Sequence, residues 1–87
     1  MTRDAILQVV AKHLANAVDD LDRATVDGGK SMKDYGANSL DIVEVVSASM
    51  RELRIKVPRA ELNKLTDING LVDLLHAVSQ KLEPIAQ

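Results

Sequence analysis

Apolar residues in this chain recur at three- and four-residue steps in three separate segments, and no segment sustains the apolar–polar alternation of a strand. Such a chain folds by burying helical stripes against one another. In the first segment Ile6, Val9, Val10, Leu14 and Val18 follow Thr2, a residue type that caps helices, with Asp4 where the helix dipole favours an acid. This predicts a helix to about residue 18. From Ser39 to about Arg54, the residues Ile42, Val45, Val46, Ser49, Met50 and Leu53 make one wide stripe. In the last segment Thr66 is placed to cap, Asp67 falls in the first turn, Ile68, Leu71, Val72, Leu75, Val78 and Leu82 form the stripe, and Pro84 stops the helix. Pro58 suits the first turn of a short helix to about Leu62, because its missing N–H needs no partner there. Between the first two helices, Asp19 to Asn38 carries Asp27-Gly28-Gly29 and Gly36 with scattered apolar residues, and reads as a long loop anchored by Leu21, Val26, Met32 and Tyr35. The expected fold is an all-α bundle of three main helices and one short one, forming a single domain over residues 1–87 with a frayed tail at 83–87.

Composition narrows what such a bundle does. Chains of about this size bury only about 60% of their unfolded surface, so an enclosed catalytic pocket would compete with the core for side chains in these 87 residues. That argues against an enzyme. There is no cysteine, and the two histidines, His13 and His76, are far apart, so neither a disulfide nor a metal-ligand cluster is expected. Asp19, Asp20, Asp22 and Asp27 do not have the spacing of a calcium loop and read as solvated charge. A net charge of -2 and one aromatic residue disfavour nucleic-acid binding. Gln8, Lys12 and His13 interrupt the first apolar segment, so neither a signal peptide nor a membrane span is expected, and the reading is a cytoplasmic monomer.

The chemically informative run is Asp34-Tyr35-Gly36-Ala37-Asn38-Ser39-Leu40-Asp41-Ile42-Val43-Glu44. It sets a serine between a glycine-containing loop and a helix, where backbone N–H groups and the helix dipole favour an attached phosphate. Asp41 and Glu44 follow in the first turns as acids a partner can read. Physics alone leaves two readings of Ser39 open: a helix cap, or an outward hydroxyl that accepts a group. On the same helix Leu40, Val43 and Ser47 lie roughly 130° from the core stripe at about 100° per residue and continue into Arg51 and Arg54, leaving two aliphatic side chains with no core role.

Gly36-Ala37-Asn38-Ser39-Leu40-Asp41, followed by Val43-Glu44, resembles the G-x-D-S-L-[DT]-x-V-E motif of acyl carrier proteins, in which the serine carries 4'-phosphopantetheine. The resemblance covers essentially the whole chain: a helix, a long loop, the serine-led helix, an I-x-[IV]-P segment matched by Ile55-Lys56-Val57-Pro58, a short helix and a last helix. It implies that a phosphopantetheinyl transferase with Mg²⁺ joins Ser39 to the phosphopantetheine of coenzyme A, and that the chain then holds acyl groups as thioesters for partner enzymes without catalysing a reaction itself. It also implies a docking face of Leu40, Asp41, Val43, Glu44, Ser47 and Arg51. Two features depart from the pattern. Asn38 stands where the family usually has aspartate, and Arg51 and Arg54 make the far end of the helix basic where primary fatty-acid carriers are acidic. Gly-Ala-Asn-Ser together with Val57-Pro58-Arg59-Ala60-Glu61-Leu62 looks like the stand-alone carriers of polyketide β-branching cassettes. Those carriers present an acetyl unit, made by decarboxylating malonyl, to an HMG-CoA-synthase-like enzyme. The partners implied are an acyltransferase, a decarboxylating ketosynthase and that synthase-like enzyme.

Other classes remain to be weighed. Peptidyl and fatty-acid carriers share the modified serine and the fold, so they differ only in cargo. An unmodified helical interaction module would use the Leu40/Val43 face alone. A serine hydrolase is disfavoured because Ala37-Asn38-Ser39-Leu40 lacks the GxSxG elbow and no histidine partner is evident. The stripe of Ile42, Val45, Val46, Met50 and Leu53 reads as ordinary packing before it reads as an acyl cavity.

Overall fold

The computed structural model describes residues 2–58, 61 and 67–82. Within them the chain forms three α-helices, α1 (Arg3–Ala17), α2 (Ser39–Leu53) and α3 (Ile68–Leu82), and no strand. Thr2 caps α1 as expected, its hydroxyl accepting the Ala5 N–H at 3.1 Å. α1 ends where Val18, in extended backbone, donates its N–H to the Leu14 carbonyl.

α1 packs against both α2 and α3. The core is wholly aliphatic: Ile6, Val10 and Leu14 from α1, Val45 and Val46 from α2, and Ile68, Leu71, Val72 and Leu75 from α3. Ile55 and Val57 close it after α2, while Ile42, Met50, Leu53 and Val78 pack at its edge. Ser49 is completely buried on the same stripe, and its hydroxyl has no hydrogen-bond partner among the described residues. At the rim, Arg3 pairs with Asp73 across α1 and α3, and Glu52 on α2 takes both Lys12 at 2.6 Å and His13 at 2.9 Å on α1.

The loop between α1 and α2 is more regular than its scattered pattern predicts. It contains two 3-10 turns, Arg23–Thr25 and Met32–Tyr35. Short polar residues rather than apolar periodicity start them. Asp22 accepts the Ala24 N–H at 2.9 Å, and Ser31 and Asp34 each accept the other's backbone N–H. The anchors hold as expected: Met32 is buried, and Leu21, Val26 and Tyr35 pack against the core. Tyr35 adds a polar pin, its hydroxyl accepting the Asp27 N–H at 2.5 Å and donating to the Thr25 carbonyl at 3.4 Å.

This loop also supplies the start of α3. The Ile68 and Asn69 N–H groups, which no intrahelical carbonyl can reach, donate to the Lys30 and Gly28 carbonyls at 3.0 and 2.8 Å. Gly28 leaves room there for the Asn69 side chain, which a Cβ would displace, its oxygen standing 2.1 Å from that position. Asp67 completes the cap by accepting the Gly70 N–H at 2.7 Å, a role the sequence reading gives to Thr66. Thr66 itself lies outside the described residues, as do Pro84, the 83–87 tail and most of the expected short helix. Of that helix the structure describes Pro58 and Glu61, joined by a hydrogen bond from the Glu61 N–H to the Pro58 carbonyl at 3.0 Å.

Candidate functional site

The segment leading to Ser39 is fixed from both sides. On the entering side, Gly36 adopts the left-handed conformation (φ 94°) that ends the second 3-10 turn, its N–H bonded to the Lys33 carbonyl. A residue with a Cβ strains there, which accounts for glycine at this position. Ala37 is buried in the core and donates to the Met32 carbonyl at 3.2 Å. On the helix side, Asn38 has extended backbone and caps α2: its side-chain oxygen accepts the Asp41 N–H at 2.8 Å, and the Asp41 carboxylate accepts the Asn38 N–H at 3.1 Å.

The cap is therefore Asn38, and Ser39 is the first residue of α2 proper. Of the two readings left open for Ser39, the structure removes the cap. With Asn38 holding the helix end, Ser39 is exposed, and its hydroxyl enters no hydrogen bond among the described residues. The N–H groups of Ser39 and Leu40, the first two of α2, likewise have no acceptor among the described residues. A free hydroxyl beside open N–H groups at the positive end of a helix dipole fits a phosphate ester. The capping box is also the physical content of the departure at Asn38, because asparagine caps as well as aspartate without adding a charge. It was legible as Asn38-x-x-Asp41, and the preceding one as Ser31-x-x-Asp34.

The expected docking residues line one exposed side of α2. Leu40 is 80% exposed and Val43 51%, the large apolar side chains most open to solvent among the described residues. Glu44 and Arg51 are exposed and Ser47 half-buried. Asp41 is half-buried and tied to the Asn38 N–H, so its carboxylate secures the helix end as well as contributing charge. The face is polarised along its length, with Asp41 and Glu44 near the serine and Arg51 and Arg54 at the far end. Asp and Glu at the N-terminus and Arg at the C-terminus match the helix dipole.

The histidines lie elsewhere. His13 is engaged with Glu52, and His76 faces Gln80 along α3. Lys12 and His13, both hydrogen-bonded to Glu52, hold its carboxyl below the usual carboxylate range. Among the described residues no group of three or more His, Asp or Glu side chains is arranged to hold a metal ion, and no helix is long and apolar enough to cross a membrane.

Comparison with known proteins agrees with this geometry. The family described as "Phosphopantetheine attachment site" matches residues 4–75. An acyl carrier protein of Campylobacter fetus is 31% identical over 77 residues, covering 88% of this chain and 95% of that protein. The polyketide biosynthesis acyl-carrier-protein AcpK of Bacillus subtilis is 25% identical over 76 residues, covering 87% of this chain and 93% of AcpK. The methylphloroacetophenone synthase of Cladonia uncialis is 40% identical over 57 residues, 66% of this chain, although the match spans only 2% of the synthase. No solved structure matches with comparable significance. The matched region takes in nearly all of α1, the loop, α2 and about half of α3. The chain belongs to the phosphopantetheine attachment site family and is an acyl carrier protein, with 4'-phosphopantetheine as its prosthetic group and biosynthetic enzymes as its partners.

Proposed function

We propose that this chain is a polyketide acyl carrier whose 4'-phosphopantetheine is attached at Ser39, and that it works in the cytoplasm as a single monomeric domain over residues 1–87. The observation that carries the attachment site is the exposed Ser39 hydroxyl, unbonded among the described residues, at the first residue of a helix whose first two N–H groups have no acceptor among them. When bound, the prosthetic group supplies a thiol that carries acyl groups as thioesters. The chain's own residues do the rest. Ser39 Oγ is the acceptor atom, and the Ser39 and Leu40 N–H groups favour the negative phosphate beside it. The Asp41 carboxylate is occupied by the cap and no histidine lies between Asp34 and Glu44, so the base that takes the serine proton comes from the transferase. Leu40 and Val43 offer small apolar contacts, Asp41 and Glu44 attract basic partners, and Ser47 and Arg51 set the edge of the footprint. Contacts of this size favour weak, fast docking, as suits a carrier that visits several enzymes in turn.

The polyketide reading is supported by the similarity to AcpK over nearly all of both chains and to a segment of the synthase. Its finer form is an acetyl donor in β-branching, served by an acyltransferase and a decarboxylating ketosynthase and delivering to an HMG-synthase-like enzyme. Its test is intact-protein mass after incubation with coenzyme A, Mg²⁺ and a broad-specificity phosphopantetheinyl transferase. We expect one phosphopantetheine adduct on the parent chain and none on Ser39→Ala; an adduct that persists on the variant would move the site elsewhere. Loading then separates the cargo classes: acetyl or malonyl adducts support the polyketide reading, whereas aminoacyl adducts would replace it with a peptidyl carrier. An unmodified but folded parent, beside a control carrier modified in the same tube, would point either to a narrower cognate transferase or to an interaction module.

A further inference from the structure

At the end of α2 remote from Ser39, the chain forms an open groove of about 410 Å³ lined by Met50, Arg51, Arg54, Ile55 and Lys56. Twelve residues at 1.5 Å each put Arg51 about 18 Å along the helix axis from Ser39. The groove therefore lies away from the serine and shares only Arg51 with the docking face beside it.

Local backbone chemistry builds it. α2 ends in a Schellman motif: the Arg54 N–H donates to the Arg51 carbonyl at 3.3 Å, and the Ile55 N–H to the Met50 carbonyl at 2.9 Å. That closure brings Ile55, itself buried in the core, back beside half-buried Met50, so the apolar floor is formed by the exposed part of Met50 and the aliphatic stems of the cations around it. The motif needs its pivot in the left-handed conformation, and here the pivot is Arg54 at φ 57°, ψ 42°. Glycine is the favoured residue at such a position, and a residue with a Cβ is strained there. Arginine at the pivot sets a third cation beside Arg51 and Lys56 around the apolar floor. None of the ion pairs among the described residues uses any of these three. The nearest carboxylate in sequence, Glu52, is taken by Lys12 and His13 on α1. On a chain of net charge -2, three unneutralised cations ringing apolar surface stand against the overall sign.

We propose that this groove binds an acidic amphipathic helix of a partner protein, its apolar side on Met50 and the aliphatic stems of Arg51, Arg54 and Lys56, and its carboxylates on their charged ends. Charge complementarity selects that occupant. A neutral apolar segment would leave three cations unpaired, and a polar acidic one would leave the floor uncovered. The inference deepens the carrier reading and rests on it for its biological sense, since it gives the carrier a second contact that recruits one enzyme without covering the serine.

The test is a titration of the full chain, before and after modification at Ser39, followed by ¹H–¹⁵N spectra. The probe is a synthetic helical peptide with leucines on one face and glutamates on the other. Its scrambled form and a lysine-for-glutamate form serve as comparisons. We expect saturable shifts centred on residues 50–56, affinity lower by about tenfold for the scrambled peptide and for Arg51→Glu/Arg54→Glu, and weakening with salt. Arg54→Gly separates the groove from the fold: it should raise thermal stability while lowering affinity severalfold. Absence of saturable binding, shifts centred on Leu40 to Ser47, equal binding of the scrambled or lysine peptide, or unchanged affinity in Arg54→Gly would each overturn the proposal. The adduct mass on Ser39, measured in the same samples, reports the carrier reading independently, because the groove is titrated in the unmodified chain as well.

Discussion

The Asn38 side chain and the Asp41 carboxylate exchange hydrogen bonds with each other's backbone, and this exchange leaves the neighbouring serine hydroxyl free. A serine that capped α2 would have spent that hydroxyl on a backbone N–H. Two substitutions test this division of labour. Asn38→Ala should lower stability by about 1 kcal/mol, while Asn38→Asp, which keeps an acceptor, should stay within about 0.5 kcal/mol of the parent; urea denaturation measures both. Equal losses in the two variants would mean that the cap does not secure this helix end. Ser39, Leu40 and Val43 were legible from the sequence because type and helical phase place them without reference to any distant residue. The owner of the cap was harder to read, since Asn38 and Ser39 are adjacent and both suit it; only the backbone conformation of Asn38 decides between them. Arg54 was legible as an exposed charge but not as a left-handed pivot, because the usual signal for that conformation is a glycine.

The helices themselves came through nearly intact: α1 and α2 end within a residue of where their apolar periodicity fails, and the last helix runs to Leu82 as expected. Between them the pattern is silent, because the 3-10 turns and the loop carbonyls that cap α3 depend on polar contacts between residues far apart in sequence. The pairing of α1 with α2 is similarly non-local, with Glu52 receiving Lys12 and His13. These partners depress the Glu52 pKa in the folded chain, so folding favours the ionised form. The associated stability is present above the ordinary carboxylate pKa and is lost as pH falls through the lowered value. Glu52→Gln should therefore be less stable than the parent near neutrality, with the gap closing in acid and also in high salt. Thermal melts across that range measure it, and a gap that does not depend on pH would assign the loss to packing instead.

Taken together, the bundle has a radius of gyration of 12.3 Å, close to the roughly 12 Å expected for a compact chain of this length. It reaches that compactness with mostly aliphatic side chains, and the buried Ser49 hydroxyl is the one polar guest among the buried residues described. Ser49→Ala removes an unsatisfied hydroxyl and substitutes a better helix former, so stability should rise by about 1 kcal/mol. For a domain this small that corresponds to about 4–8 °C in Tm; a lower Tm would mean that the hydroxyl has a partner in solution. The loop ahead of Ser39 holds a further consequence. Its Gly28 and Lys30 carbonyls are bonded to Asn69 and Ile68, residues that leave the ribosome well after the serine does. Until that late stretch has been synthesised and has docked, the approach to Ser39 lacks one of its fastenings, so a nascent chain displays the serine in a looser setting than the finished protein.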